Sequence, residues 1–427
     1  MNIEVARTGP LTGELEVPGD KSISHRAAIL GAIAEGKTRI KGFLEGQDCL
    51  HTLQCLSSLG IHVEQLQPGD YIIHGKGLHG LSEPDNVLDV GNSGTTIRLL
   101  AGLLASRPFT SILTGDASIR SRPMDRVIVP LTQMGATIYG RENNKLAPLF
   151  IKGGTLRGIN YRLPVASAQV KSAILLAALG GSDTTCIEEP LRSRDHTERM
   201  LAAFGAGITV QDLSIQITPQ DTLTPQEILV PGDISSAAFF MVAASIVPGS
   251  DIIIRNVGVN PTRTGVITAL QAMGAGVEVM NYREQTGEPV ADVRVRYAPL
   301  KGISFEPAWI PTLIDEIPAL CIAAAFAEGI TVIRHARELR VKETDRIRIM
   351  TQELTRFGAK VQELPDGMII EGCTELKGTT CYSHGDHRIA MALSVLGLRA
   401  TGTTTIVQAE AVNVSYPDFF VTLQSLK

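Results

Sequence analysis

The sequence predicts a mixed fold of helices and strands (α+β), with two domains built from six repeats, and three observations carry that expectation. Five helix-like stretches end on a large apolar residue and glycine: Leu59-Gly60, Met134-Gly135, Phe204-Gly205, Met273-Gly274 and Phe357-Gly358. Four segments, residues 27–40, 170–187, 319–333 and 389–407, pass from small apolar residues through a Gly turn into a run rich in Thr, Ile and Val. Finally, Val17-Pro18-Gly19-Asp20 returns as Val230-Pro231-Gly232-Asp233.

The glycines lie 75, 70, 69 and 84 residues apart, so a period near 71 divides the 427 residues into about six units. Glycine after a helix suits a left-handed C-cap, because it has no Cβ to clash there. The small-residue helices are apolar nearly all round. They are expected at the centre, with strands and amphipathic helices outside them. Each unit reads as several strands with helices, not as a simple βαβ crossover. The repeated tetrapeptide marks where the halves meet. Residues 1–19 with 232–427 are expected to form one domain and 20–231 the other, three units each, with a hinge near 18–21 and 230–233.

Composition limits the function. A chain this long exceeds one ordinary core. Hydrophobic content of 44% with 19% charge is that of a folded globular protein. A net charge of −5 and only 4% aromatics argue against nucleic acid and anionic membranes as partners. The six cysteines show no Cys-x-x-Cys spacing, so reduced thiols are expected and a zinc or disulfide framework is not. No secretory or transit signal and no membrane-length apolar run is present, which leads us to expect a soluble cytoplasmic protein.

Cations are instead concentrated locally. Lys21, Ser22 and Arg26 follow the first tetrapeptide at the start of a predicted helix, where free N–H groups favour anions. An ordinary capped surface helix is the bland alternative. Gly91-Asn92-Ser93-Gly94-Thr95-Thr96 precedes the next buried helix, which carries Arg98 in its first turns, and lets backbone amides approach an anion. Arg122 stands before Pro123 and is pushed towards an extended conformation. Ser167 and Gln169 open a third apolar helix with neutral donors, although Ser167 is equally an N-cap. Asp315 and Glu316 lie before a strongly apolar helix: one of these acids reads as its cap, and Asp315 reads as a general base. Glu343 reads as an acid or as the i,i+3 partner of Arg346. Lys342 and Arg346, taken as like charges on one face of a predicted helix, point to a bound anion. Asp386 reads as a cap, Arg388 as an anion clamp, and His387 as a proton relay or a packed side chain.

These islands together resemble the 5-enolpyruvylshikimate-3-phosphate synthase family. The motifs are P-G-D-K-S-I-S-H-R, G-N-S-G-T-T-x-R, R-P-M-D-R, A-S-A-Q-V-K-S-A, V-K-E-T-D-R and G-D-H-R, in the family's order from residue 18 to 388. The resemblance implies a two-domain inside-out α/β barrel of six βαβαββ-type units, three per domain. It implies transfer of the enolpyruvyl group of phosphoenolpyruvate to the 5-hydroxyl of shikimate 3-phosphate, without metal or organic cofactor, by what is expected to be a monomer. Lys21, Ser22, Arg26, Ser167, Gln169, Asp315 and Lys342 match the shikimate 3-phosphate contacts. Lys21, Gly94, Arg122, Gln169, Arg346 and Arg388 match the phosphoenolpyruvate contacts. Asp315, Glu343 and Lys21 match the catalytic groups. Some members carry serine at Ala168, tyrosine at His196 and lysine at Val414.

Charge supports the assignment. The two substrates bring about −5 to −6, and Lys21, Arg26, Arg122, Lys342, Arg346 and Arg388 supply six positive charges. Repulsion among them in the empty protein is expected to hold the domains apart. Three other functions fit the sequence less well. The sister transferase acting on UDP-N-acetylglucosamine carries Lys-Asn where Lys21-Ser22 stands and a reactive cysteine absent from residues 115–119. A non-catalytic binder of anionic metabolites needs no acids among the cations. A nicotinamide dehydrogenase lacks its Gly-x-Gly-x-x-Gly signature here.

Overall fold

The computed structural model describes all residues, Met1 to Lys427. They form two compact units. One comprises Met1–Pro18, Pro231–Glu284 and Pro289–Lys427; the other comprises Gly19–Val230 with Gln285–Glu288. Each has its own apolar core.

In the Gly19–Val230 unit three helices fill the core: Lys21–Ile33, Gly94–Ala105 and Ala168–Leu179. Their composition explains why. They are built from Ala, Ile, Leu and Gly, with almost no polar face to offer water. Small residues also let them approach closely. A Cβ on Gly102 would lie 2.1 Å from the Ala173 carbonyl oxygen. Three four-stranded sheets cover these helices, and they share one plan. In the first, Glu227–Leu229 runs parallel to Glu35–Lys41, which pairs antiparallel with Asp70–Lys76, which pairs antiparallel with His62–Gln67. Leu88–Asp89, Thr110–Thr114, Leu146–Lys152 and Thr137–Gly140 repeat it, as do Asn160–Arg162, Thr185–Glu188, Ser214–Ile217 and Ile208–Gln211.

The other unit follows the same rule around helices Ile234–Ile246, Ile317–Ala325 and His387–Gly397. Every residue of Ile234–Ile246 is buried. The chain's beginning completes two of its sheets. Thr12–Glu16 lies parallel to Asp251–Gly258, and Asn2–Ala6 pairs antiparallel with Thr403–Val407. There are six sheets and six core helices, so the sixfold repeat holds. Gly60, Gly135, Gly205, Gly274 and Gly358 all take positive φ, from 85° to 104°, as their helix-ending position requires.

One local expectation fails. Lys342 does not open a helix. A 3-10 turn spans Arg337–Val341, Lys342 leaves it with φ −80° and ψ −152°, and the α-helix begins at Arg346. Asp345 caps it, accepting a hydrogen bond from the Arg348 amide, so a local side-chain bond competes with helix at this point. Lys342 and Arg346 therefore do not share a helical face. All six cysteines are free thiols, and no single helix is long and apolar enough to cross a membrane.

Candidate active site

In the Gly19–Val230 unit the candidate residues gather at the N-terminal ends of the three core helices. Asp20 caps the first, accepting from the Ile23 amide at 2.9 Å. Lys21 Nζ lies 2.8 Å from Asp48 Oδ2, a carboxylate that the local sequence around Lys21 does not announce. Arg26 is buried and held on three sides. Its Nε donates to Thr197 Oγ1 at 2.6 Å, one Nη to Ser172 Oγ at 2.8 Å and the other to the Ser22 carbonyl at 3.0 Å. Burial lowers its pKa to about 10, with Glu198 and Asp20 working against the fall. It stays cationic at neutral pH.

The second helix is capped by Ser93, whose Oγ accepts from the Thr96 amide at 3.1 Å. Gly94 then sits beneath two guanidinium groups. A Cβ there would meet Arg122 Nη1 at 2.7 Å and Arg98 Nη1 at 2.9 Å. Arg122 has φ −79° and ψ 142°, the extended state expected before proline. One of its Nη atoms reaches Asn92 Oδ1 at 3.5 Å. Gln169 is fixed from both ends: Oε1 accepts from Arg98 at 2.6 Å and Nε2 donates to Thr95 Oγ1 at 3.2 Å. Ser167 is the N-cap of the third helix, so the capping alternative is realised. A cap uses the oxygen as acceptor and leaves the O–H as a donor.

Behind this cluster lies a buried ion triad that sequence reasoning missed. Lys171 Nζ is 2.8 Å from Glu189 Oε2 and 2.6 Å from Glu198 Oε1. Burial pushes the Glu198 carboxyl up, and the Lys171 ammonium opposes that. Next to Glu198, Thr197 shares a 2.6 Å hydrogen bond with Ser172 while it accepts from Arg26. The triad thus anchors helix His196–Ala203, whose Thr197 orients Arg26. His196 itself, one of the departures noted above, is buried with Nδ1 2.8 Å from Glu288 Oε1.

The other unit holds a second cluster centred on Arg346, which is 1% exposed. Its Nη2 lies 2.6 Å from Glu343 Oε2, its Nε 2.8 Å from Asp386 Oδ2 and its Nη1 3.5 Å from Asp315 Oδ1. Burial alone would lower the Arg346 pKa, but Asp386, Glu343 and Asp315 outweigh it and raise the value. Burial likewise works to raise Asp386, and the Arg346 charge holds it below the usual carboxylate range. Asp386 also caps helix His387–Gly397 through the Arg388 amide at 2.9 Å. Arg388 donates to the Asp315 backbone carbonyl at 3.1 Å, and Lys342 Nζ stands 3.2 Å from Asp315 Oδ1. His387 is buried at the helix start.

Of the two acids before the apolar helix, Glu316 takes the cap position but makes no capping bond and instead meets Ser235 and Arg263. Several of the cations are also partnered by carboxylates. Lys342, Arg346 and Arg388 lie among Asp315, Glu343 and Asp386, three carboxylates for three cations, and Asp48 attends Lys21. Lys21, Lys342 and Arg346 are therefore not bare cations. Asp48, Arg98, Ser172 and Thr197 join the site as residues without an assigned role in the sequence reading. Arg98 and Ser172 lie inside the quoted motifs, which is the signal that could have singled them out.

Clusters of cations interleaved with acids and neutral donors define a class: enzymes that bind multiply charged anions and move protons beside them. Comparison with known proteins narrows it. Residues 5–423 match the model of the EPSP synthase (3-phosphoshikimate 1-carboxyvinyltransferase) family, and the chain belongs to that family. A 3-phosphoshikimate 1-carboxyvinyltransferase of Pelotomaculum thermopropionicum is 55% identical over 420 residues, covering 98% of this chain and 97% of the relative. One from Desulforudis audaxviator is 53% identical over the whole of both chains. The solved EPSP synthase of Acinetobacter baumannii superposes with a TM-score of 0.89 at 47% identity, covering 100% of this chain and 98% of that one.

Proposed function

We propose that the chain is an enolpyruvyl (carboxyvinyl) transferase that joins phosphoenolpyruvate to the 5-hydroxyl of shikimate 3-phosphate and releases phosphate, a step of aromatic biosynthesis. The family match across residues 5–423 carries this reading. Both substrates are anions, and the two clusters hold the matching groups.

In this reading Ser22, Arg26, Ser167, Gln169 and Lys342 hold shikimate 3-phosphate. Gly94, Arg122, Gln169, Arg346 and Arg388 hold phosphoenolpyruvate, and Lys21 serves both. Asp315 takes the 5-hydroxyl proton as the oxygen attacks the enol carbon. Glu343, with Lys21, delivers a proton to the methylene carbon and later removes one as phosphate departs. The pairings seen here add a condition. Substrate oxyanions must take over Lys21 from Asp48 and Lys342 from Asp315, which frees the Asp315 carboxylate to act as a base. The hinge is assigned to residues 18–21 and 230–233, and closure about it excludes water from the reacting groups. The reading includes a cytoplasmic monomer that meets neither nucleic acid nor membrane, and a reaction run without metal or organic cofactor. Glyphosate is expected to compete with phosphoenolpyruvate.

The test is a coupled assay of phosphate release by purified protein. Release is expected only when both substrates are present, and glyphosate suppresses it at millimolar concentration or below. Phosphate released from phosphoenolpyruvate alone, or none from the pair, contradicts the reading.

A further inference from the structure

The outer face of the first sheet carries a group that the transfer reaction does not use. His62 and Glu64 stand two residues apart on strand His62–Gln67, so both project to the same side. His74, on the neighbouring strand Asp70–Lys76, is the direct register partner of His62. The two imidazole centroids are 4.7 Å apart, and His74 Nε2 lies 3.0 Å from Glu64 Oε2. One donor atom from each of the three residues lies within 4.8 Å of the others. We propose that His62, Glu64 and His74 form a surface site for a divalent transition ion of the zinc type, with water completing the coordination.

The donor chemistry fits that ion. Two imidazole nitrogens and one carboxylate oxygen are borderline ligands that suit zinc and not magnesium or calcium, which take oxygen ligands. Three protein ligands with one open position make a common zinc arrangement. The scaffold also suits it. All three side chains rise from two strands locked in antiparallel register, and the second strand pairs on its other side with Glu35–Lys41. The Glu64–His74 ion pair accounts for two of the three residues, but not for a second imidazole placed against them.

The neighbours set the strength. Lys37 is the cross-strand partner of His74, and Lys76 lies two residues beyond His74 on its strand. Glu35 is the partner of Lys76, while Arg39, further along the face, is bound by Asp70 at 2.8 Å. Two nearby lysines weaken cation binding, so weaker binding than that of a closed structural site is expected.

Titration calorimetry of untagged full-length protein with zinc chloride alone, at pH 7.5, tests this. One ion per chain is expected. Affinity should fall at least tenfold in His62→Ala and in His74→Ala, and severalfold in Glu64→Gln. Bound zinc should raise the unfolding temperature by a few degrees, a shift absent from both histidine variants. Zinc binding that survives both histidine substitutions, the absence of binding at 1 mM zinc, or equal affinity for magnesium overturns the proposal.

Discussion

At Gly94 one hydrogen separates the backbone from two guanidinium groups. Adding a methyl there puts it 2.7 Å from Arg122 Nη1 and 2.9 Å from Arg98 Nη1, the far ends of flexible side chains. The fold should tolerate this, and the pocket should not. Gly94→Ala is expected to change unfolding free energy by less than about 1 kcal/mol. The KM for phosphoenolpyruvate and the inhibition constant for glyphosate should both rise severalfold, as read from steady-state rates. Asp315 tests the chemistry in the same way. With Lys342 and Arg346 as its partners, Asp315→Ala should lower kcat by about 10²–10⁴, while calorimetry still detects shikimate 3-phosphate binding. Normal turnover would remove Asp315 from its assigned role. His25 offers a pH prediction. It is fully buried between helices, its Nδ1 2.7 Å from Thr52 Oγ1, and burial pushes its pKa down to about 3. The unfolded chain titrates there near 6.5. Between those values the unfolded chain binds a proton that the folded chain does not. Stability is therefore complete above about pH 6.5 and is lost towards pH 3, by up to about 1.4 kcal/mol per unit from this group. Urea unfolding at pH 7.5, 6 and 5 should show a steeper acid loss in the natural protein than in His25→Gln.

Helices carry the next level of the account. Asp20, Ser93, Ser167, Asp233, Asp345 and Asp386 each cap a helix with their own side chain, and five of those six helices are the buried kind. Caps, apolar composition and the C-terminal glycines are local signals, so this layer was legible in the sequence. The ion partners were not. Lys21 finds Asp48 27 residues on, Arg98 finds Gln169 71 residues on, and Arg346 finds Asp386 40 residues on. No spacing rule links such positions; only the packing of the helices in the folded chain brings them together. For the same reason the Lys342–Arg346 pair was misread, since the sequence did not show that the carboxylate of Asp315 stands between them. The Lys171 triad gives a test at this scale. Lys171→Met leaves Glu189 and Glu198 buried without their counter-ion, so a loss of about 3–5 kcal/mol is expected from denaturant unfolding. A loss below 1 kcal/mol would mean that the triad does not anchor helix His196–Ala203.

At the scale of the whole molecule, the proposed transfer requires matched residues from each unit to act on the same pair of anionic substrates. Sequence repetition made the six units legible, and the motifs named most of the residues that gather in the two clusters. Electrostatic balance within each unit was visible only in three dimensions. Under the proposed function, Lys21 and Lys342 pass from carboxylates to substrate instead of waiting bare for a ligand. The most direct measurement compares the KM for phosphoenolpyruvate in Arg122→Gln and Arg388→Gln, one substitution in each unit, at saturating shikimate 3-phosphate. Each should raise KM at least tenfold, because each removes a charged contact to the same ligand. An unchanged KM in either variant would confine phosphoenolpyruvate to a single unit and contradict the account.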